Sequence, residues 1–143
     1  MSDESLAIDE WLYGTLTGDA ALTAVVGQRV HNEQAPTTST FPLVVFQLQS
    51  SIDVRGNGQT RIMVDALYVV RGIVANASYD ANSKLIAERI DALLHASSGG
   101  TADGGAASIF TSHRTQHFRL AEEESGKQYR HLGGIYRIYA QSQ

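Results

Sequence analysis

The chain has 143 residues, a formal net charge of −4 and no cysteine. That length suits one domain, residues 1–143, with a core large enough to fold without a metal or a disulfide. The missing cysteine excludes disulfides, thiolate metal sites and thiol nucleophiles and fits a reducing compartment, while the absence of any Lys/Arg run argues against a dedicated nucleic-acid grip.

The start, Met1-Ser2-Asp3-Glu4, is acidic and lacks the positive charge and apolar core of a secretory signal. No apolar run is long enough to span a bilayer. The chain therefore reads as soluble, made in the cytoplasm, with no membrane contact. A first helix is expected over about Ser5–Leu16, where Ile8, Trp11, Leu12 and Leu16 form one apolar stripe. Ser2 or Ser5 caps it, the acids Asp3, Glu4, Asp9 and Glu10 suit its positive end, and Gly18 stops it. Asp19 caps a second short helix, Ala20–Val26, which ends at Gly27 and buries Leu22, Val25 and Val26.

A brief strand, Arg29-Val30-His31, leads into an exposed loop, Asn32–Thr40, with Pro36 and several hydroxyl residues. Phe41–Gln49 is a strand so rich in apolar residues that it is buried on both faces or used by a partner. Asn57-Gly58 signals a type I′ hairpin turn, because both residues tolerate positive φ. The flanking runs, about 43–55 and 59–73, form a long antiparallel hairpin. In its second arm Ile62, Val64, Ala66, Tyr68 and Val70 alternate with Met63, Asp65, Leu67, Val69 and Arg71. Toward the tip Ser50, Asp53, Arg55 and Gln59 are polar, so the tip projects beyond the core.

The spacing of Ile86, Ile90, Leu93 and Leu94 predicts a helix over about Ser78–Ala96, with Lys84 and Glu88 paired outside. Ser97–Gly105 reads as a flexible Gly/Ser loop. Two strands follow, Ser108–Leu120 and Lys127–Ala140, joined by an acidic turn, Glu122–Gly126. The expected fold is α+β: an antiparallel-rich sheet of four to five strands with a long hairpin, packed against an N-terminal helix and one long central helix.

Chemical signatures are sparse. His113 and His117 lie on an expected strand that places both on one face, but no Glu lies between them as in H-E-x-x-H, so ordinary strand histidines are the better reading than a metal site. Gly56-x-Gly58 and Gly104-Gly105 lack the strand-to-helix context of phosphate loops. The serines lack a G-x-S-x-G elbow. Glu122, Glu123 and Glu124 show no apolar surround that would raise a carboxylate pKa, so a solvated tip outweighs a catalytic or Mg²⁺ cluster. Tyr136 and Tyr139 fall on opposite strand faces, and exposed tyrosines suit protein interfaces. No catalytic residue, metal or cofactor is expected.

The segments ALTAVVGQRVHNEQAP, FPLVVFQLQS, MVDALYVV, LIAERIDALL and GGIYRIYA, in that order from Leu6 to Tyr139, carry a resemblance. The chain resembles the tail-completion, or tail-terminator, proteins of long-tailed bacteriophages. The resemblance implies a non-enzymatic virion protein, assembled in the host cytoplasm. It implies a homo-oligomer, a hexameric ring that caps the tail tube, ends its polymerisation and meets the head–tail connector at the head-proximal end. Genome DNA then passes through the bore without specific binding, which fits a chain poor in phosphate-neutralising patches. On that reading Gln34 and Thr38 in the first loop, and Asp53, Arg55, Asn57 and Gln59 at the hairpin tip, are candidate interface residues. Glu122, Glu123 and Glu124 are candidate bore-facing acids that repel DNA. Two alternatives stand beside it: a head-completion or stopper protein at the neighbouring joint, and a small-ligand-binding or hydrolytic α+β domain.

Overall fold

The computed structural model describes residues 4–58, 61–97, 99–102, 105 and 107–142. Three helices and six strands follow one another as α1 (Glu4–Thr17), α2 (Ala20–Val26), β1 (Val30–Asn32), β2 (Leu43–Arg55), β3 (Arg61–Val74), α3 (Ala81–Leu94), β4 (Gly100–Ala102), β5 (Ala107–Glu124) and β6 (Lys127–Ser142). The strands form one sheet in the order β1-β2-β3-β6-β5-β4.

Six strands exceed the four to five expected. The extra one is β4, which pairs with β5 through Gly100–Ala102 opposite Ala107–Ile109. It lies inside the segment read as a loop. Three residues of Gly, Thr and Ala carry no apolar alternation, so only their partner reveals them. The sheet is also mixed. β1 runs parallel to β2, with Val30 beside Val44 and Asn32 beside Phe46. The residues between β1 and β2 carry the chain back to the same end of the sheet, which makes the pair parallel. The long central pairs β2–β3, β3–β6 and β6–β5 are antiparallel.

The helices cover one face. Ile8, Leu12 and Leu16 of α1, Leu22 and Val26 of α2, and Ile86, Ile90 and Leu94 of α3 bury against Val44, Phe46, Val64, Ala66, Tyr68, Val70, Ile109, Tyr136 and Ile138. The helix-period stripes are those of the sequence, and strand alternation supplies the other wall. Ile62 alone of its row is exposed: Val54 pairs with Met63 and Arg55 with Arg61, so Ile62 is the extra residue of a bulge and leaves the alternation of its strand. Tyr68 is fully buried, and its hydroxyl lies 2.8 Å from Ser5 O and 2.7 Å from Asp9 Oδ1, tying β3 to α1. Ser5 sits inside α1 and so is not its cap; Ser2 and Asp3 lie outside the described residues.

Local signals set the other helix ends. Asp19 caps α2 by accepting from Leu22 N at 3.0 Å. The long helix begins at Ala81, later than expected, because Asp80 and Ser83 form a reciprocal capping box: Ser83 N donates to Asp80 Oδ1 at 2.9 Å and Asp80 N to Ser83 Oγ at 2.8 Å. α3 lies close on β3 where Gly72 leaves room. A Cβ there would meet Ile86 Cγ2 at 2.3 Å.

The hairpin turns exchange roles relative to expectation. Arg55 pairs with Arg61, so residues 56–60 connect β2 to β3, and Asn57 does not have positive φ while Gly58 does (78°). A two-residue I′ turn is therefore not formed there. It is formed at the other hairpin, where Glu124 pairs with Lys127 and the linking Ser125 and Gly126 have φ of 53° and 80°. Glu122–Glu124, read as part of a turn, are the last residues of β5.

Candidate assembly interface

The face of the sheet away from the helices is only partly covered. Leu43, Val45 and Ile73 are buried there under Ala35 and Tyr129. The Asn32–Thr40 loop folds over this end of the sheet, and Phe41 packs on Tyr129 with ring centroids 5.1 Å apart. Between that loop and the β5–β6 hairpin runs a groove of about 520 Å³. Phe41, Leu43, Ile73 and Tyr129 supply apolar wall, and Arg71, Glu122 and His131 a polar end.

The polar end is an ordered chain of side chains. Arg71 Nη1 donates to Gln47 Oε1 at 3.4 Å and Nε to His131 Nδ1 at 3.1 Å. His131 Nε2 lies 2.7 Å from Glu122 Oε1. The Arg71 guanidinium also lies 5.7 Å from the centroid of the Phe118 ring. With Nδ1 accepting from Arg71, the ring carries its proton on Nε2 and donates it to Glu122. Burial pushes the His131 pKa down, against the pull of Glu122, so the ring stays neutral. Burial likewise lowers Arg71, with Glu122 opposing.

The anticipated residues fall at two opposite ends of the sheet. Gln34 lines the groove, and Thr38 is exposed in the same loop. Glu122 and Glu124 line it from the other side. Strand alternation sends Glu123 to the other face, since Glu122, Glu123 and Glu124 pair in turn with Tyr129, Gln128 and Lys127. At the far end Asp53 lies 3.5 Å from Arg61, which also reaches Glu4 at 2.9 Å. Arg55 and Asn57 are exposed near that tip. Gln59 lies outside the described residues.

His113 and His117 do not share a face. A bulge between Arg114 and Gln116 inserts one residue, so His113 pairs with Arg137 while His117 pairs with Gly134 on the helix side. Among the described residues no group of His, Asp and Glu is placed to hold a metal ion. Arg71 and His131 were not singled out in the sequence. The available signal was an arginine inside the apolar run Leu67–Val74 of β3, on the face away from the helices.

A helix-backed sheet with two long hairpins and a half-covered opposite face offers surface to other proteins, and its polar side chains are tied into structural networks. A family model described as tail completion protein gp17 matches residues 10–132. The chain belongs to that family, and is a structural protein of the phage tail. No curated protein matches it. Among solved structures, it is similar to a chain from the virion of a native gene transfer agent particle, with a TM-score of 0.71, 18% identity, and 95% of this chain and 96% of that one covered. A second solved structure is similar at a TM-score of 0.58 and 12% identity, with 96% of both chains covered. These two likenesses concern the fold. Among the described residues no helix is long and apolar enough to cross a membrane.

Proposed function

We propose that this protein terminates the phage tail: copies form a ring on the last ring of the tube, stop its growth and present a surface to the head–tail connector. The family match over residues 10–132 carries the reading. The fold supports it by offering surfaces at both ends of one sheet, the β2–β3 tip at one and the groove with the β5–β6 tip at the other. One end serves the tube and the other the connector, so a bound ring does not template another tube ring. DNA passes through the bore. Glu122 and Glu124 share a face and so form the acidic lining together, with Glu123 directed elsewhere. Repulsion between such carboxylates and phosphates keeps the duplex from binding.

The test is the particle size of the purified protein by light scattering, alone and with pre-formed tail tubes, followed by imaging of tube ends. The expected result is a ring, in solution or confined to one tube end. A monomer that ignores tubes would overturn the reading and turn attention to the head-side stopper joint.

A further inference from the structure

The long strands leave two backbone edges open. β2 is paired on its outer side only at Val44–Phe46, by β1. From Gln47 to Arg55 that edge has no strand among the described residues. On the far side of the sheet, β5 is covered by β4 at Ala107–Ile109 and by Ser97 at Ser112, and Arg114 N donates to His95 Nδ1 at 3.0 Å. From Thr115 to Glu124 that edge likewise has no strand among the described residues. Open edges invite pairing with another chain, and proteins ordinarily cap or shorten them.

The two edges are complementary. β2 and β6 run one way, β3 and β5 the other. A second copy placed head to tail therefore sets its β2 antiparallel to β5 and continues the alternation without a break. Such a heterologous contact closes into a ring when its rotation allows.

Hydrogen-bond phase narrows the register. On β5, Ser112 and Arg114 point their amides outward; past the one-residue bulge at Thr115 the outward residues are His117, Arg119, Ala121 and Glu123. On β2, Val44 N and Phe46 O point outward; past the bulge at Gln49 the outward residues are Ser51, Asp53 and Arg55. We propose that neighbouring copies of this chain join along these edges, with Arg119 of one copy opposite Asp53 of the next; the proposal rests on the ring reading above. Both side chains lie on the helix-covered face, Arg119 level with Leu132 and Asp53 with Val64. The same register sets Leu120, 43% exposed, against Ile52, 65% exposed, and Phe118 against Val54, all on the other face. Opposite charges and apolar pairs directly across a ladder are the stabilising combinations. A two-residue slip one way sets Arg119 against Arg55. The other way leaves Arg119 facing Ser51 and Leu120 facing Ser50. Within one copy Arg119 lies in a row with Leu132, Gly72 and Val44, so each step to Asp53 of the next copy climbs along the strand. The strands must then run oblique to the ring axis, as in closed barrels.

Leu120 and Ile52 form a non-hydrogen-bonded pair in this register, where Cα atoms approach to about 4.5 Å, inside the range a disulfide spans. The chain has no cysteine of its own. The test is oxidation of the Ile52→Cys/Leu120→Cys variant in the assembled state, with its size measured by light scattering in parallel. Both positions are exposed, so the fold tolerates the change. The expected result is a ladder of linked species ending at the ring's subunit number, no ladder from either single variant, and at least tenfold less linking from Ser50→Cys/Leu120→Cys. A ring without the ladder, or one in which Leu120→Cys alone links, overturns the edge pairing and leaves the terminator reading standing. Failure of any oligomer to form, in solution or on tubes, overturns both.

Discussion

Asp19 joins two helices through one carboxylate, and its replacement has a size that can be worked out. The side chain caps α2 through Leu22 N at 3.0 Å and receives Arg89 of α3 in a forked pair, Nε to Oδ2 at 2.9 Å and Nη2 to Oδ1 at 2.8 Å. Loss of an N-cap costs about 1 kcal/mol. Asp19 is 13% and Arg89 33% exposed, so the pair is worth about 1 kcal/mol, the upper end for partly exposed pairs. Asp19→Ala should therefore destabilise by about 2 kcal/mol, and Asp19→Asn, which keeps the cap, by about 1 kcal/mol. For a chain of this size those losses lower Tm by about 8 °C and 4 °C. Arg89 first, then Leu22 N, hold the Asp19 carboxyl below its ordinary value of 3.8 against the opposing effect of burial. Its contribution is thus complete above that value and is lost as pH falls through the lower folded value. Calorimetry and urea titration of both variants, with Arg89→Met to close a double-mutant cycle, provide the assay. Equal losses for Asp19→Ala and Asp19→Asn, or a coupling near zero, would refute the assignment.

Three further outcomes are expected. Gly133→Ala should cost about 3 kcal/mol or more, because its Cβ would sit 2.1 Å from Val70 O, backbone that cannot yield; Gly72→Ala, which meets the Ile86 side chain at 2.3 Å, should cost about 1–3 kcal/mol, and the reverse ranking in urea melts would contradict the packing. Ser125→Asn should stabilise by about 0.5 kcal/mol and Gly126→Ala destabilise by about 1 kcal/mol, since both positions have positive φ; a shift in neither denaturation midpoint would count against the I′ turn. His131 is neutral when folded and its pKa lies below 6.5, so unfolded chains bind more protons as pH drops under that value and stability falls until the folded value is passed. His131→Gln should flatten that slope, whereas an unchanged stability–pH profile would argue against the Arg71–His131–Glu122 arrangement.

The helices were legible because their information is local. Ile8, Leu12 and Leu16 repeat at helical spacing, and Asp19 stands where a cap is needed. The long strands were legible through alternation, which put Val64, Ala66, Tyr68 and Val70 in the core. What escaped depends on partners distant in sequence. β4 has no pattern of its own, and the parallel β1–β2 pair is set by the return path of a loop. Asn57-Gly58 carried the stronger turn signal, yet the bulge at Ile62 of β3 and the Arg55–Arg61 pairing leave a longer connection there. Ser125-Gly126 turned tightly because its flanking strands are in unbroken register from Gln116 to Lys127. The Arg71–His131 contact joins residues 60 apart and becomes visible only when β3 and β6 are adjacent. The single extra residue at Thr115 that separates His113 from His117 leaves no mark in composition.

The measurement that bears most directly on the terminator reading is the length of tail tubes grown from purified tube protein with and without this chain. Added during growth, it should shorten the tubes, block further elongation at one end and leave ring-shaped density there. Tubes that grow to the same length, with bare ends, would contradict the reading.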